Sequence, residues 1–321
     1  MLMKMTLTLV LLMAVGIPSA YAADRDISVV FVGDIMLDDL PGKYIENGHD
    51  PFADFAAIFA ASDITIGNLE CVVGTTGEAE DKPVVLRANP RVLPLLKKYF
   101  SAVSLANNHS GDYGPQAFSQ ELDLLDQAGI KYFGGGKEIR AAHMPVIFAV
   151  QGKRIAILGY DIFKPRSFEA LDDRPGTAWG ESDYIVADIK RAKELHKADI
   201  VIAYPHWGWE GEKWATLQQQ SLARLMIDSG ADAVIGGHPH VTQDIEIYKS
   251  KPIFYSLGNF VFDGFDTTDT TTGWVIELSI KPDLQINWKV HEAKIDQNGI
   301  PKNSGVVYPS YMVTSATEPQ Q

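Results

Sequence analysis

Six short apolar stretches each end in polar or potentially metal-ligating residues, and this repeated pattern constrains the fold most. The residues at the six ends are Asp34, Glu70, Asn108-His109, His206, His238-Pro239-His240 and Asn259. Helical patterns separate several of the stretches, which predicts an α/β fold. Open α/β sheets carry their ligand sites at the carboxyl ends of the strands, so we expect these side chains to converge.

The stretch from Asp232 to Gln243 is the most informative of the six. Its apolar run stops at Gly236 and Gly237, which let the backbone turn without a Cβ penalty. His238 and His240 follow on either side of a proline. Neutral imidazole is the commonest nitrogen ligand of transition metals, so this pair indicates a metal site.

The termini are expected to differ from the rest of the chain. Residues 1–22 have the parts of a secretory signal peptide: Lys4, an apolar centre and the cleavage pattern Ala20-Tyr21-Ala22. The apolar centre is short for a bilayer span, which favours cleavage and a periplasmic or extracellular protein; an uncleaved membrane anchor is the alternative. Residues 23–299 are expected to form one domain, because no linker interrupts them, and residues 300–321 a polar C-terminal tail.

The formal net charge of −13 argues against nucleic acid or an anionic membrane surface as the main partner. An anionic substrate remains compatible with this charge, because a local cation can reverse the field inside one cleft. Four cationic loop residues could contact such a substrate: Lys82, Arg87, Arg166 and Arg174. We rank Arg87 first because it lies just before the helix that Asn89 is expected to cap, and Asn259 is a further candidate for substrate binding.

Carboxylates, an amide and imidazoles at one sheet edge suit hydrolysis assisted by metal ions. In two-metal sites a carboxylate bridges two cations ~3.5–4 Å apart, which then share a nucleophile and neutralise the transition state. Mixed nitrogen and oxygen ligands favour Zn²⁺, Mn²⁺ or Fe, whereas Mg²⁺ and Ca²⁺ prefer oxygen alone. We therefore expect a divalent Mn, Zn or Fe cofactor, with one or two ions.

Longer motifs extend this pattern from Gly33 to Asp263. They are Gly33-Asp34-Ile35-Met36, Asn68-Leu69-Glu70, the segment Leu105 to Gly114, the segment His206 to Glu210, the segment Gly237 to Val241 and the segment Tyr255 to Asp263. With these motifs the chain resembles the CapA family of capsule, or poly-γ-glutamate, synthesis proteins, which are distant relatives of the calcineurin-like metallophosphoesterases. The resemblance implies a four-layer αββα sandwich with a dinuclear metal site.

The resemblance also implies roles for the individual residues. Asp34 and His240 would bind the first metal, Asn108, His206 and His238 the second, and Glu70 would bridge both as a metal ligand and catalytic carboxylate. His109 is similar in position to a histidine near the leaving group, so it is a candidate general acid or a residue that positions a phosphate oxygen.

One departure from the phosphoesterase pattern concerns the first metal. Phosphoesterases carry Asp-x-His at the first motif, whereas this chain has Asp34-Ile35-Met36. A thioether is a poor ligand for Zn²⁺ or Mn²⁺, so the first metal would lose a strong donor. Glu70 in place of the usual aspartate also lengthens the bridging side chain by one methylene. A mononuclear site and a site poor in ions are therefore alternatives to the dinuclear one.

Three functions are compatible with these residues. The leading hypothesis is an exported CapA-type protein that acts as a metal-dependent hydrolase on an anionic envelope polymer or its precursor, with membrane-bound capsule-synthesis components as partners. The second is a periplasmic phosphomonoesterase or phosphodiesterase that acts on a phosphoester substrate. The third is a non-catalytic component that binds polymer carboxylates through one cation.

Overall fold

The computed structural model describes residues 25–310, in which strands and helices alternate along most of the chain. The strands are β1 (Ile27–Ile35), β2 (Ile64–Leu69), β3 (Val72–Val73), β4 (Arg87–Ala88), β5 (Ala102–Ser104), β6 (Lys131–Phe133), β7 (Gly135–Gly136), β8 (Val146–Val150), β9 (Lys153–Asp161), β10 (Gly176–Thr177), β11 (Ile200–His206), β12 (Ala233–Ile235), β13 (Ile245–Tyr248), β14 (Lys251–Phe254), β15 (Asn259–Val261), β16 (Thr272–Ile280), β17 (Ile286–Ile295) and β18 (Pro301–Pro309). The helices are α1 (Asp39–Glu46), α2 (Ala56–Ala61), α3 (Leu93–Tyr99), α4 (Gly114–Ala128), α5 (Ile139–Ala142), α6 (Ser182–Glu194) and α7 (Leu217–Asp228).

The first large sheet has the order β18-β17-β16-β1-β2-β5-β6, and β15 also pairs with β1. Strands β1, β2, β5 and β6 are parallel, whereas β16, β17 and β18 add an antiparallel half. The parallel strands therefore end at one edge, which brings the residues that follow β1, β2 and β5 together.

The second large sheet has the order β13-β14-β12-β11-β9-β8. Its four central strands are parallel, and β8 and β13 pair with them antiparallel at the two edges. A turn at Gln151 and Gly152 connects β8 to β9 as a hairpin. The carboxyl ends of β11 and β12 carry the three histidines of the strongest sequence motifs.

Three apolar layers separate these elements. The two sheets pack face to face through side chains such as Phe31 and Tyr204, whose ring centroids are 5.9 Å apart. Helices α1 to α4 cover the outer face of the first sheet around an aromatic group that includes Phe52 and Phe260. Helices α6 and α7 cover the second sheet, where Met226 is fully buried. The αββα sandwich is therefore confirmed.

The C-terminal part of the chain differs from the expectation. The polar tail predicted from residue 300 begins instead with an edge strand, because Pro301–Pro309 forms β18 and pairs with β17. Its side chains are mostly exposed, so their polarity reflects the position of the strand at the sheet edge and not a lack of structure. The predicted signal peptide, residues 1–22, lies outside the described residues. Within residues 25–310 no helix is both long and apolar enough to span a bilayer.

Candidate metal centre

The carboxyl-end edges of the two sheets meet, and each contributes part of one buried cluster. The first sheet provides Asp34 and Glu70, whereas the second provides His206, His238 and His240. Each of these five residues is less than 5% exposed. The hydroxyl of Tyr204, two residues before His206, donates a 2.9 Å hydrogen bond to the carbonyl of Val32, two residues before Asp34. This bond ties the two edges together beside the cluster.

The turn after β12 places its histidines in an unusual backbone conformation. His238 has φ 96° and His240 has φ 56°, both in the left-handed region that non-glycine residues rarely adopt. The Asp34 carboxylate accepts a 3.3 Å hydrogen bond from the His238 amide. A Cβ at Gly237 would lie 3.0 Å from Asp34 Oδ1, so glycine permits this close approach. Strained backbone of this kind is typical of functional sites.

The predicted metal ligands lie within short distances of one another. His206 Nε2 is 2.8 Å from Asn108 Oδ1 and 3.1 Å from His238 Nδ1. Glu70 Oε1 is 3.8 Å from His206 Nε2 and 3.7 Å from His240 Nε2. His240 Nδ1 is 3.5 Å from a carboxylate oxygen of Asp34. The fold thus brings all six predicted ligands together.

Two groups of three residues within this cluster have the spacing that a cation needs. One consists of Asp34, Glu70 and His206, and the other of Glu70, His238 and His240. In each group the ligand atoms lie within 4.8 Å of one another. Glu70 belongs to both groups, which is the arrangement expected of a bridging carboxylate.

Burial changes the protonation of the cluster. Burial, and then the charge of Asp34, raises the pKa of Glu70 well above its ordinary value. Burial, and then the neighbouring histidines, lowers the pKa of His206 and of His238. Neutral imidazoles have a lone pair available for a metal, whereas protonated ones do not.

Two buried atoms in the cluster lack a hydrogen-bond partner among residues 25–310. They are Glu70 Oε1 and His238 Nε2, both in the second of the two groups. A buried polar atom without a partner is costly, and native structures satisfy nearly all such atoms. A cation held by Glu70, His238 and His240 would give Glu70 Oε1 a partner, so the residues present fit a metal ion.

Asn259, predicted to bind substrate, contacts His240, one of the predicted metal ligands. Its Oδ1 is 2.8 Å from His240 Nδ1, and its Nδ2 donates to the carbonyl of Thr270. This contact makes Nδ1 the protonated nitrogen of His240 and leaves Nε2 free to face Glu70. Partners of this kind orient metal-binding histidines.

His109, the predicted general acid, lies at the rim of the cluster and is 7% exposed. Its Nδ1 is 2.8 Å from Asp112 Oδ2. Asp112 also pairs with Lys82 and accepts a 2.6 Å hydrogen bond from the Leu86 amide. Lys82 donates to the carbonyl of Asn108, so Lys82 is the loop cation next to the cluster.

Arg87, ranked first among the cationic candidates, is not brought into the cluster. Its guanidinium lies 4.0 Å from the centroid of the Tyr113 ring, and its Nη1 donates to the carbonyl of Thr76. Its main-chain amide donates to Asp38. Stacking on an aromatic face holds the guanidinium against the protein surface.

Met36 is part of the apolar core between the first sheet and its helices, where it is 1% exposed. Its sulfur accepts a 3.1 Å hydrogen bond from the Asp38 amide. Met36 therefore packs in the core and supplies no ligand in place of the usual histidine.

Two residues of the site were missed from the sequence. Asn68 donates from Nδ2 to both Asp34 and Glu70, at 2.8 Å and 3.0 Å. The role of Asn68 could have been predicted, because residues two apart on a strand share one face and Asn68 precedes Glu70 by two.

The second of these residues is Phe163, whose ring lies 4.0 Å from that of His238. The segment at residues 161–181, which contains Phe163, therefore covers the site in part.

The fold is similar to that of a solved enzyme. The crystal structure of a 5'-nucleotidase precursor from Thermus thermophilus aligns with a TM-score of 0.53 and 11% sequence identity. The alignment covers 86% of this chain and 56% of that one. A likeness at this identity shows the fold, which is that of the metallophosphoesterase-type nucleotidases.

Sequence comparison is more specific. The family model described as "Bacterial capsule synthesis protein PGA_cap" matches residues 28–264. The PGA biosynthesis protein CapA of Bacillus subtilis is 36% identical over 251 residues, which cover 75% of this chain and 64% of that protein. The capsule biosynthesis protein CapA of Bacillus anthracis is 33% identical over 260 residues, or 77% of this chain and 62% of that protein. The chain thus spans less than two thirds of these relatives. It belongs to the PGA_cap family of bacterial capsule synthesis proteins, as its motifs indicated.

Proposed function

We propose that this protein is a metal-dependent hydrolase that acts at the cell envelope on an anionic capsule polymer of the glutamate type or on its precursor. The observation that carries the proposal is the pair of unpartnered buried atoms, Glu70 Oε1 and His238 Nε2. They lie among neutral imidazoles at the joined edges of two sheets. A buried set of this kind is difficult to explain as a structural feature without a cation.

The donor set indicates the metal. One carboxylate with two imidazoles in reach suits Zn²⁺, Mn²⁺ or Fe better than an ion that prefers oxygen alone. When bound, such an ion polarises a carbonyl or phosphoryl oxygen and lowers the pKa of a water molecule. Asn108 and His206 lie beside the group and complete the candidate ligands.

The protein's own residues supply the rest of the chemistry. The Asn259 contact orients His240, and the lowered pKa of His206 and of His238 keeps their lone pairs available. Asp112 holds Nδ1 of His109, which leaves Nε2 of that ring to give a proton to a leaving group or take one from water. His109 is therefore the candidate general acid or base.

The names of the relatives support the substrate class. Both Bacillus relatives are named for capsule or PGA biosynthesis, and a relative of Mycobacterium tuberculosis is named a probable polyglutamine synthesis accessory protein. Lys82 beside His109 gives the site a local cation in a chain of net charge −13. Export through the predicted signal peptide and association with membrane-bound capsule-synthesis components belong to the same proposal.

The test measures hydrolysis by the purified full chain with added Mn²⁺, Zn²⁺ or Fe²⁺. Poly-γ-glutamate, followed by size-exclusion chromatography, is one substrate, and a chromogenic phosphate ester is the other. We expect the wild-type protein to shorten the polymer. The rate of hydrolysis should fall about 100-fold or more in His238→Ala, because a proposed metal ligand is lost. His49→Ala, at an exposed histidine, is the matched control and should retain the wild-type rate.

The two substrates separate the alternatives. Turnover of the phosphate ester without shortening of the polymer would replace the proposal with a phosphoesterase. Binding of metal and polymer with no turnover of either substrate would contradict hydrolysis and favour a non-catalytic binding component.

A further inference from the structure

The two candidate cation positions differ in what lies between their ligands. This difference concerns the number of ions, so the inference rests on the proposed metal-dependent function. In the group of Asp34, Glu70 and His206, one nitrogen atom of the protein already contacts all three residues. Asn68 Nδ2 lies 2.8 Å from Asp34 Oδ1, 3.0 Å from Glu70 Oε2 and 3.3 Å from His206 Nδ1.

The hydrogen-bond network determines which end of the Asn68 amide faces the carboxylates. Asn107 Oδ1 accepts from the main-chain amide of His109 at 3.0 Å, and Asn107 Nδ2 donates to the carbonyl of Leu69 at 2.9 Å. Main-chain groups have fixed donor and acceptor roles, so the Asn107 amide has one orientation. Its Nδ2 also donates to Asn68 Oδ1 at 2.9 Å. The Asn68 NH₂ group therefore points at the carboxylates.

This NH₂ group has two hydrogens, and two carboxylate oxygens accept them. It holds Asp34 and Glu70 together, as a shared cation does in a dinuclear site. A cation in the same place would have to displace a donor that a second asparagine holds in position. Met36 adds a second obstacle, because its sulfur packs in the core and gives Asp34 no neighbouring ligand at the position of the usual histidine.

In the other group no such donor contacts Glu70 Oε1, which lacks a hydrogen-bond partner among residues 25–310. Glu70 and His238 both belong to this second group, and His238 Nε2 also lacks a partner among those residues. The third member, His240, directs Nε2 toward Glu70 Oε1 at 3.7 Å. The carboxylate of Glu70 is thus divided, with one oxygen on the Asn68 amide and the other available to a cation.

We propose that the carboxamide of Asn68 takes the place of one of two metal ions, so that this protein binds a single divalent cation at Glu70, His238 and His240. Asn68 is then a positioning residue that fixes Asp34 and Glu70 without a charge of its own. The site would be mononuclear although its fold is that of the metallophosphoesterase-type nucleotidases.

The direct test is the number of Mn²⁺ ions bound to the full chain. Metal-free protein is loaded with excess Mn²⁺, desalted and analysed for elements, and its electron paramagnetic resonance spectrum is recorded. We expect one equivalent with the six-line signal of an isolated ion. Two equivalents with the exchange coupling of ions ~3.5–4 Å apart would overturn the inference but leave the proposed function standing. Zero equivalents would overturn both.

Asn68→Asp tests the amide itself. The substitution keeps the shape of the side chain, removes the donor and adds a carboxylate, so we expect a second equivalent of Mn²⁺ and a coupled signal. Asn47→Asp, the same change at an exposed residue, should keep one equivalent. A folded Asn68→Asp protein that still binds one isolated ion would contradict the role of the amide. If this variant does not fold, the number of Mn²⁺ ions bound by the wild-type protein decides whether the inference holds.

Discussion

A single buried carboxyl group at the edge of the site is expected to affect the stability of the whole protein. Asp161 ends β9 and pairs with His206 in the neighbouring strand. It is 5% exposed, and burial raises its pKa to about 7 although Phe163, Thr177 and Lys82 favour the charged form. An aspartate in an unfolded chain has a pKa of about 3.9. Between these values the folded state binds more protons, so stability falls as pH rises through this window.

Asp161→Asn should therefore stabilise the protein at alkaline pH. Asparagine cannot ionise, so the variant avoids a cost of about 2–4 kcal/mol that the wild type has at pH 8. The difference should shrink as pH falls from 7 and vanish below about pH 4, where both side chains are neutral. Urea unfolding at pH 4, 6 and 8 measures it.

Asp172→Asn is the matched control, because this exposed aspartate lies in the loop that follows β9. It should change the free energy of unfolding little at any of the three pH values. An advantage of Asp161→Asn that is the same at pH 4 and pH 8 would show that ionisation of Asp161 is not its cause.

At the scale of elements, the site depends on how closely its strands approach. Gly33, just before Asp34, packs against the segment that leads into β15. A Cβ on Gly33 would lie 1.9 Å from the carbonyl oxygen of Gly258, which accepts a hydrogen bond from the Asp34 amide. This carbonyl group belongs to the backbone, so it cannot move without separating β1 from β15.

Gly33→Ala should accordingly lower the free energy of unfolding by at least about 3 kcal/mol, because overpacking against backbone has no cheap relief. Gly48→Ala provides the comparison. Gly48 has φ 83° and open space around its Cβ position. Its substitution should therefore cost only the free energy of placing alanine in the left-handed conformation, about 1–2 kcal/mol. Urea denaturation measures both, and equal losses would contradict the steric explanation.

The strand ends were the most predictable part of the molecule. Asp34, Glu70, His206 and His238 each follow an apolar run, and parallel pairing brings such ends to one edge. The contacts of Arg87 with Tyr113 were not predictable, because they depend on a loop whose path only tertiary packing determines. Strand β18 was not predicted either. Its side chains are mostly exposed, so its sequence is as polar as that of an unstructured tail.

At the scale of the whole molecule, the cation would lie where the two halves of the sandwich meet. Glu70 comes from the first sheet, and His238 and His240 come from the second. An ion bound to all three would connect the sheets directly. Such an ion would bind the folded state, in which the three ligands are assembled, and would so contribute to folding stability.

Added metal should therefore raise the unfolding temperature of the protein. At 100 times the dissociation constant one ion stabilises by about 2.7 kcal/mol, which corresponds to a rise of roughly 5 °C for a domain of this size. Thermal unfolding with Mn²⁺ and then with excess chelator measures the effect. His238→Ala should lose most of it, and an undiminished gain in that variant would place the ion elsewhere.

The left-handed backbone at His238 and His240 lowers stability at the two residues that the proposed metal binding requires. Glycine would relieve the conformation at either position, about 1–2 kcal/mol each, but would remove an imidazole. Selection for thermal stability alone would thus favour replacement of these two histidines by glycine. If a descendant lost the proposed metal binding, glycine at these two positions would be an early mark of that loss.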